Sequence, residues 1–291
     1  MNNAILNIAH SVLDSQINVL YEPGSRIFDI AINNIDNVNF YLTNDICQNY
    51  YYDMYFSNNF LTVSDKKIIN DKNHIKTVVA IHNPPPPSFK KEDLIVFHGK
   101  YKDIYKIILG QDIANFWGFQ KSKKTFIIDY GIPKIPQLEI NKTKNLLIFN
   151  LENNPQVDLY YKNITMENSN GIDIIKKIDS NTSIDDLRSL ISKYKVCMDY
   201  GNKENILYSL SVGVPCITAK DFHLSDDFII KVENFQEATE MINKFLNIKL
   251  SEKESQSCSH KITNEYDYEI FKKQMTQALF AIKRNEIFYY E

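Results

Sequence analysis

"ENILYSLSVGVPCIT", residues 204–218, sets a helix-like run against a strand-like run, with Val212-Gly213-Val214-Pro215 between them. The chain has only eight glycines, so one placed here asks for a reason. Glycine ends a helix because it tolerates positive φ, and a proline just beyond keeps the helix from restarting. Immediately upstream, "KVCMDYGNK" (195–203) reads as a strand that ends at Asp199 and passes through Tyr200-Gly201-Asn202 into that helix. A helix entered in this way aims its unpaired N–H groups at the carboxyl edge of a sheet, where their partial positive charge suits a diphosphate. An ordinary β-α-β unit with a glycine-proline corner has the same pattern and needs no ligand. Spacing alone leaves both readings open.

The alternation continues outward. "SIDDLRSLISKY" (183–194) predicts a helix, "NLLIFNL" (145–151) a strand, "VPCIT" (214–218) and "FIIKV" (228–232) strands, and "NFQEATEMINKFLNI" (234–248) a helix. "YEIFKKQMTQALFAIKRNEIF" (268–288) is an amphipathic helix that closes the chain. Nearer the N-terminus, "NNAILNIAHSVLDS" places Ala4, Ile5, Ile8, Ala9 and Val12 on one helical face. Strands are expected at 17–21, 37–43, 59–63, 76–82 and 125–131, and a helix at 24–35. The stretch 89–119 reads as mostly helical with a break at Gly99, and "IPKIPQLEINKTK" (132–144) as a linker. Short apolar strands alternating with helices imply parallel sheets covered on both faces. The expected fold is α/β, with two Rossmann-like doubly wound parallel-sheet domains facing a cleft. Their limits are 1–133 and 145–267, joined by 134–144, and the helix in 268–291 packs back on the first domain.

At 291 residues the chain is long enough for two such domains. The net charge is −3, and Arg26, Arg188 and Arg284 are the only arginines, so no global positive field recruits nucleic acid or anionic lipid. The abundance of lysine, asparagine, isoleucine and tyrosine follows from an AT-rich genome, which suits a bacteriophage or another large DNA virus. Cys47, Cys197, Cys216 and Cys258 are too far apart for a zinc motif. Cys197 and Cys216 sit in apolar runs where a free thiol acts as a small hydrophobe. The sequence shows no signal-peptide pattern and no apolar run of the ~20 residues needed to span a bilayer. A soluble cytoplasmic protein is expected, with oligomeric state left open.

The order strand, glycine-containing loop, helix, Gly-Val-Pro, strand resembles the nucleotide-sugar site of the GT-B glycosyltransferases. "SIDDLRSLISKYKVCMDYG" (183–201) is similar to the helix and strand that precede that family's donor loop. "VENFQEATEMINKFL" (232–246) looks like a helix near the end of its second domain, and "IIDYGIP" (127–133) like the exit from its first. The likeness is carried by segments over 125–285 and by architecture alone over 1–124. It implies a nucleotide-diphosphate sugar as co-substrate and a hydroxyl acceptor on a glycan, a protein or a modified DNA base. No tightly bound cofactor is implied and no metal, in keeping with the lack of a D-x-D element in a metal-binding context. Donor binding would fall to Tyr200, Gly201, Asn202, Glu204, Asn205 and Tyr208, with Lys144 and Lys162 as further candidates for the diphosphate.

The chain departs from the family in one respect. Retaining members carry a pair of glutamates that, aligned on Gly213 and Pro215, fall on Tyr200 and Tyr208. A phenol can donate to a hydroxyl but cannot supply the carboxylate that grips a ribose diol. Glu204 lies close by, out of register. An unusual donor, an inverting mechanism, or a degenerate scaffold kept for binding or assembly would each account for this.

Ligands of open parallel sheets bind beyond the carboxyl ends of the strands, which marks the loops after residues 21, 81 and 199. In "VLYEPGSRIFD" (19–29), Glu22 is a candidate general base, Gly24 and Ser25 can contact ligand, and Arg26 can pair with phosphate. Ser25 as a simple helix cap accounts for the same residues. His82 and Asn83 follow an apolar strand and precede the tetraproline 84–87, and an imidazole there suits removal of an acceptor proton. A spacer loop beside a rigid polyproline is the plain alternative. Asp221 is a further candidate contact. The tyrosine-rich "NYYYDMYF" (49–56) offers stacking surface or merely reflects composition.

Overall fold

The computed structural model describes residues 6–11, 38–42, 52–57, 76–81, 90–119, 123–134, 142–150, 155–167, 171–176, 182–199, 203–219, 227–247 and 252–285. They form two compact units. One takes the described residues up to Gly131 together with those from Tyr268 onward, and the other takes Ile132–Asp267.

The first unit is built on six parallel strands, β1 (Leu6–Ser11), β2 (Val38–Leu42), β3 (Met54–Ser57), β4 (Lys76–Ile81), β5 (Tyr105–Leu109) and β6 (Thr125–Ile128), in the order β2-β1-β3-β4-β5-β6. Helix α1 (Lys91–Tyr101) connects β4 to β5, and α2 (Gln111–Trp117) connects β5 to β6. Both helices lie over the sheet in one core with Val79, Ile81 and Ile108, through Phe97, Tyr101, Ile113 and Trp117. The buried runs of β4 and β5 need no alternation, because a central parallel strand is covered on both faces.

The C-terminal helix, α8 (Tyr268–Arg284), belongs to this first unit. It buries Phe271, Met275, Leu279 and Ile282. Gly131 admits it, since a Cβ there would stand 2.4 Å from Cβ of Phe271. Lys76, at the start of β4, donates from Nζ to the Ile282 carbonyl at 2.8 Å and also to that of Lys283. A lysine on those last carbonyls satisfies acceptors that the helix itself leaves open.

The second unit is a five-stranded parallel sheet. Its strands are β7 (Lys144–Phe149), β8 (Ile172–Ile175), β9 (Tyr194–Met198), β10 (Cys216–Ala219) and β11 (Ile229–Val232), in the order β11-β10-β9-β7-β8. Its helices are α3 (Pro155–Glu167), α4 (Ile184–Ile191), α5 (Lys203–Ser211), α6 (Phe235–Asn247) and α7 (Glu252–Glu265). Leu146 and Ile148 of β7 and Val196 and Met198 of β9 pack with Val157 and Tyr160 of α3 and Ala238 and Ile242 of α6. Ser183 and Asp186 form the capping box that starts α4.

Gly213 answers the opening question at the far end of α5. Its φ is 67°, and the amides of Gly213 and Val214 donate to the carbonyls of Leu210 and Ser209, both at 2.9 Å. That pair of bonds is the Schellman end of a helix. Cys197, Cys216 and Cys258 are free and buried, and burial pushes the Cys197 thiol up to about 12. Such thiols pack as apolar groups and do not react.

Several sequence expectations are corrected. The run around Ile8 is strand β1, not a helix. It lies between β2 and β3, and pairing on both edges outweighs a helical spacing too short to be decisive. The stretch 89–119 is helix, strand, helix. Gly99 lies inside α1, and the breaks come at Lys102–Ile104 and at Gly110, whose φ is 107°. Within 49–56, Tyr52, Tyr55 and Phe56 are buried, so these rings are core and not a stacking surface. Helices α3 and α7 and strand β8 were not anticipated. The strand expected at 17–21, the helix expected at 24–35 and the strand expected at 59–63 lie outside the described residues.

Lys106, in β5, has no solvent exposure and donates from Nζ to the carbonyls of Tyr101 (2.8 Å) and Ile104 (2.7 Å). Burial, with the nearby Lys124 charge as a smaller cause, lowers its pKa to about 8. The unfolded lysine holds its proton to about 10.4. Between these values the unfolded chain binds the extra proton, so this group adds stability as pH rises from 8 and adds none below it. Wild type minus Lys106→Met stability, from urea melts, is therefore expected to climb between pH 8 and pH 10. A flat difference would refute the assignment.

Candidate functional site

In the second unit the strand order reverses direction between β7 and β9. In open parallel sheets that switch point opens a crevice beyond the carboxyl ends of the two strands. The residues placed there are Asn150 after β7 and Asp199 after β9, both buried. The Asn150 amide donates to the Ile175 carbonyl at 2.8 Å, which seats it on β8. Its side-chain Nδ2 donates to Oδ1 of Asp158 at 3.0 Å, and Lys176 donates to the other Asp158 oxygen at 2.6 Å. The Lys176 bond, foremost, holds the Asp158 carboxyl below its usual range.

The second half of the site is the start of α5. Asn205 donates from Nδ2 to Oδ2 of Asp199 at 2.8 Å, which ties the first turn of the helix to the end of β9. Ser209 Oγ donates back to the Asn205 carbonyl at 2.9 Å. Glu204 is 5% exposed and accepts a hydrogen bond from the Tyr208 hydroxyl one turn along the same helix. The side chains meet because residues four apart share a helical face.

Under Tyr208 lies Arg188 of α4, fully buried, with its guanidinium carbon 5.8 Å from the ring centroid. Nη2 donates to the Pro133 carbonyl at 2.7 Å, and Nη1 stands 3.8 Å from Oδ1 of Asp185. Among the described residues, Nε and Nη1 have no hydrogen-bond partner. Burial pulls the Arg188 pKa down to about 10, so the group stays charged at neutral pH. A buried cation against the face of a phenol gains from the ring quadrupole.

This geometry sets the local chemistry. Asp199 and Glu204 place two carboxyl groups at the amino end of α5, where the helix dipole favours negative charge. Carboxylates accept hydrogen bonds, so the edge suits a ligand rich in hydroxyl groups.

Of the residues proposed from sequence, Glu204, Asn205 and Tyr208 come together here. Tyr200, Gly201, Asn202, Asp221, Glu22, Gly24, Ser25, Arg26, His82 and Asn83 lie outside the described residues. Lys144 is placed elsewhere: at the amino end of β7 it donates to Asp173 at 2.6 Å and to Tyr194 at 3.3 Å. The length of a strand therefore separates it from the carboxyl edge. Lys162 is exposed, one turn beyond Asp158 on α3. Asn150, Asp158, Asp199, Lys176 and Arg188 were not singled out. The carboxyl-edge rule reaches Asn150 only when β7 is known to adjoin β9, and strand order is a tertiary fact.

Two doubly wound parallel-sheet units in one chain give a GT-B-like, Rossmann-like fold. The structure is similar to that of HepE from Anabaena in complex with UDP and glucose, with a TM-score of 0.64 at 12% identity over 95% of this chain and 100% of that one. A TarM variant from S. aureus, in complex with fondaparinux, α-GlcNAc-glycerol and UDP, matches with a TM-score of 0.57 at 11% identity over 78% of this chain and 56% of that one. The N-terminal domain of trehalose-6-phosphate phosphatase from Candida albicans matches with a TM-score of 0.53 at 9% identity over 97% of both chains. No protein-family model and no curated protein matches the sequence. At such identities the likeness is one of fold. Among the described residues, no helix is long and apolar enough to cross a membrane.

Proposed function

We propose that this protein is a glycosyltransferase that uses a nucleotide-diphosphate sugar, with a uridine nucleotide as donor carrier. The observation that carries the reading is the buried carboxyl pair of Asp199 and Glu204 at the switch-point edge of the second unit. The likeness to HepE, a structure holding UDP and glucose, supports it. In this reading Glu204 accepts from hydroxyls of the donor, and Tyr208 acts on the ligand through Glu204. Tyr200, Gly201, Asn202 and Asn205 complete the donor loop.

In the transfer, an acceptor hydroxyl oxygen forms a bond to the anomeric carbon while the bond to the diphosphate oxygen breaks. The electron pair of that bond leaves with the diphosphate, and the hydroxyl proton passes to a base. His82 is the first candidate for that base and Glu22 the second, with Gly24, Ser25, Arg26, Asn83 and Asp221 as acceptor or phosphate contacts. The acceptor class is a hydroxyl on a glycan, a protein or a modified DNA base.

A second reading is a binding or assembly module on the same scaffold. The trehalose-6-phosphate phosphatase domain favours it, because this fold also stands in a protein named for another activity. Thermal shift across uridine, guanosine, adenosine and cytidine nucleotide sugars separates the two. A selective rise in Tm with UDP-sugars, followed by UDP release on turnover, is expected. Silence across the panel would overturn the enzyme reading. Turnover is also expected to be unchanged by EDTA, and a loss restored by added Mg²⁺ would refute metal independence.

A further inference from the structure

The buried face of α4 contains a charge. Ile184, Leu187, Arg188 and Ile191 form that face, spaced as one helical stripe, and Arg188 stands where an aliphatic side chain would pack. The side chain has no solvent exposure. Asp185, 3.8 Å from Nη1, is itself 75% exposed, so water screens that pair. Nη2 is satisfied by the Pro133 carbonyl, whereas Nε and Nη1 have no hydrogen-bond partner among the described residues. An apolar residue of similar volume in place of a buried charge is often neutral or stabilising. Stability alone therefore does not ask for arginine at this position.

What the cation does reach is the Tyr208 ring, whose centroid lies 5.8 Å from the guanidinium carbon. The Tyr208 hydroxyl in turn donates to Glu204, and both residues are buried. One line of contact thus runs from α4, across the ring, to a carboxyl group in the first turn of α5. A cation on the face of a phenol holds the ring and polarises its O–H, and polarised donors strengthen the bonds that follow them in a chain. We infer that Arg188 is a positioning residue of the donor site, fixing the Tyr208 hydroxyl and through it the Glu204 carboxylate. This role rests on the reading of Glu204 as a donor contact. Arg188 is closed off from solvent and acts only through Tyr208. Lysine would keep the charge but lose the planar fork that lies on the ring and reaches Pro133.

Calorimetry of UDP-glucose binding to the full chain, over a double-mutant cycle, tests the assignment. Arg188→Met is expected to weaken affinity by between roughly 2- and 30-fold, with Arg188→Lys in between. In a Tyr208→Phe background the same change should alter affinity less than about twofold, because the hydroxyl that transmits it is gone. A side chain that only packs would act equally in both backgrounds. Equal losses in the two backgrounds, or wild-type affinity in Arg188→Met, would overturn the proposal. Should Arg188→Met not fold, Arg188→Lys runs the same cycle.

A second measurement needs no ligand. With tyrosines carbon-13 labelled at Cζ, the Tyr208 resonance is assigned by its loss in Tyr208→Phe. It should move in Arg188→Lys and again in Glu204→Gln. An unmoved resonance in Arg188→Lys overturns the positioning role whether or not UDP-glucose binds. A moved resonance in a protein that binds no nucleotide sugar upholds the Arg188–Tyr208–Glu204 linkage and removes the donor reading alone.

Discussion

Gly213→Val is expected to lower the Tm of the second unit by roughly 4–20 °C. Two independent costs act at this position. A β-branched residue held at φ 67° pays about 1–2 kcal/mol for left-handed backbone. Its Cβ would also stand 2.3 Å from the carbonyl oxygen of Ser255 in α7. Relief requires backbone movement between α5 and α7, where Lys142 donates to both the Gly213 carbonyl (3.2 Å) and Ser255 Oγ (3.0 Å). Overpacking of this kind costs about 1–3 kcal/mol or more, and each kcal/mol moves Tm by about 2–4 °C in a chain of 150–250 residues.

Gly118 supplies the control. It has the same φ of 67° at the end of α2, but a Cβ there would meet only the His98 ring, at 3.3 Å. Asparagine tolerates left-handed backbone, so Gly118→Asn should be mild and Gly213→Asn severe. Equal melting temperatures for the two asparagine variants, read by circular dichroism, would show that the α5–α7 approach is not the constraint.

Glu204→Gln is expected to weaken UDP-sugar binding by between roughly 10- and 150-fold while leaving Tm within a few degrees. The amide keeps the shape and can still accept from the Tyr208 hydroxyl, so the fold loses little. What disappears is the charge, and a hydrogen bond to a charged group is worth about 1.5–3 kcal/mol. At about 1.4 kcal/mol per tenfold change in affinity, that gives the stated range. Tyr208→Phe separates support from contact. It strips Glu204 of an internal donor and should cost about 1–3 kcal/mol of stability together with part of the affinity. Calorimetry showing wild-type affinity in Glu204→Gln would remove this carboxylate from the site.

The alternation of strands and helices was legible because parallel strands buried on both faces announce themselves as apolar runs. "KTVVAI" and "LLIF" are read correctly from sequence for that reason. Where the same logic failed, the surrounding sequence masked the strand. Met54–Ser57 is four residues long and sits in a tyrosine-rich stretch that composition alone explains. Tyr105–Leu109 follows a helix with only a short turn between, so its apolar side chains merged with the helical pattern.

By itself the sequence determined local matters: a helix within 183–194, a strand near Asp199 running into a second helix, and a glycine at 213 able to end that helix. These depend on neighbours within about one turn, and short-range chemistry suffices. Only the tertiary structure decided that residues 6–11 are a strand between two others, that β7 adjoins β9, and that Arg188 lies buried under Tyr208. Each of those rests on contacts between segments far apart in the chain. Their energies come from burial and sheet pairing, which no local pattern encodes.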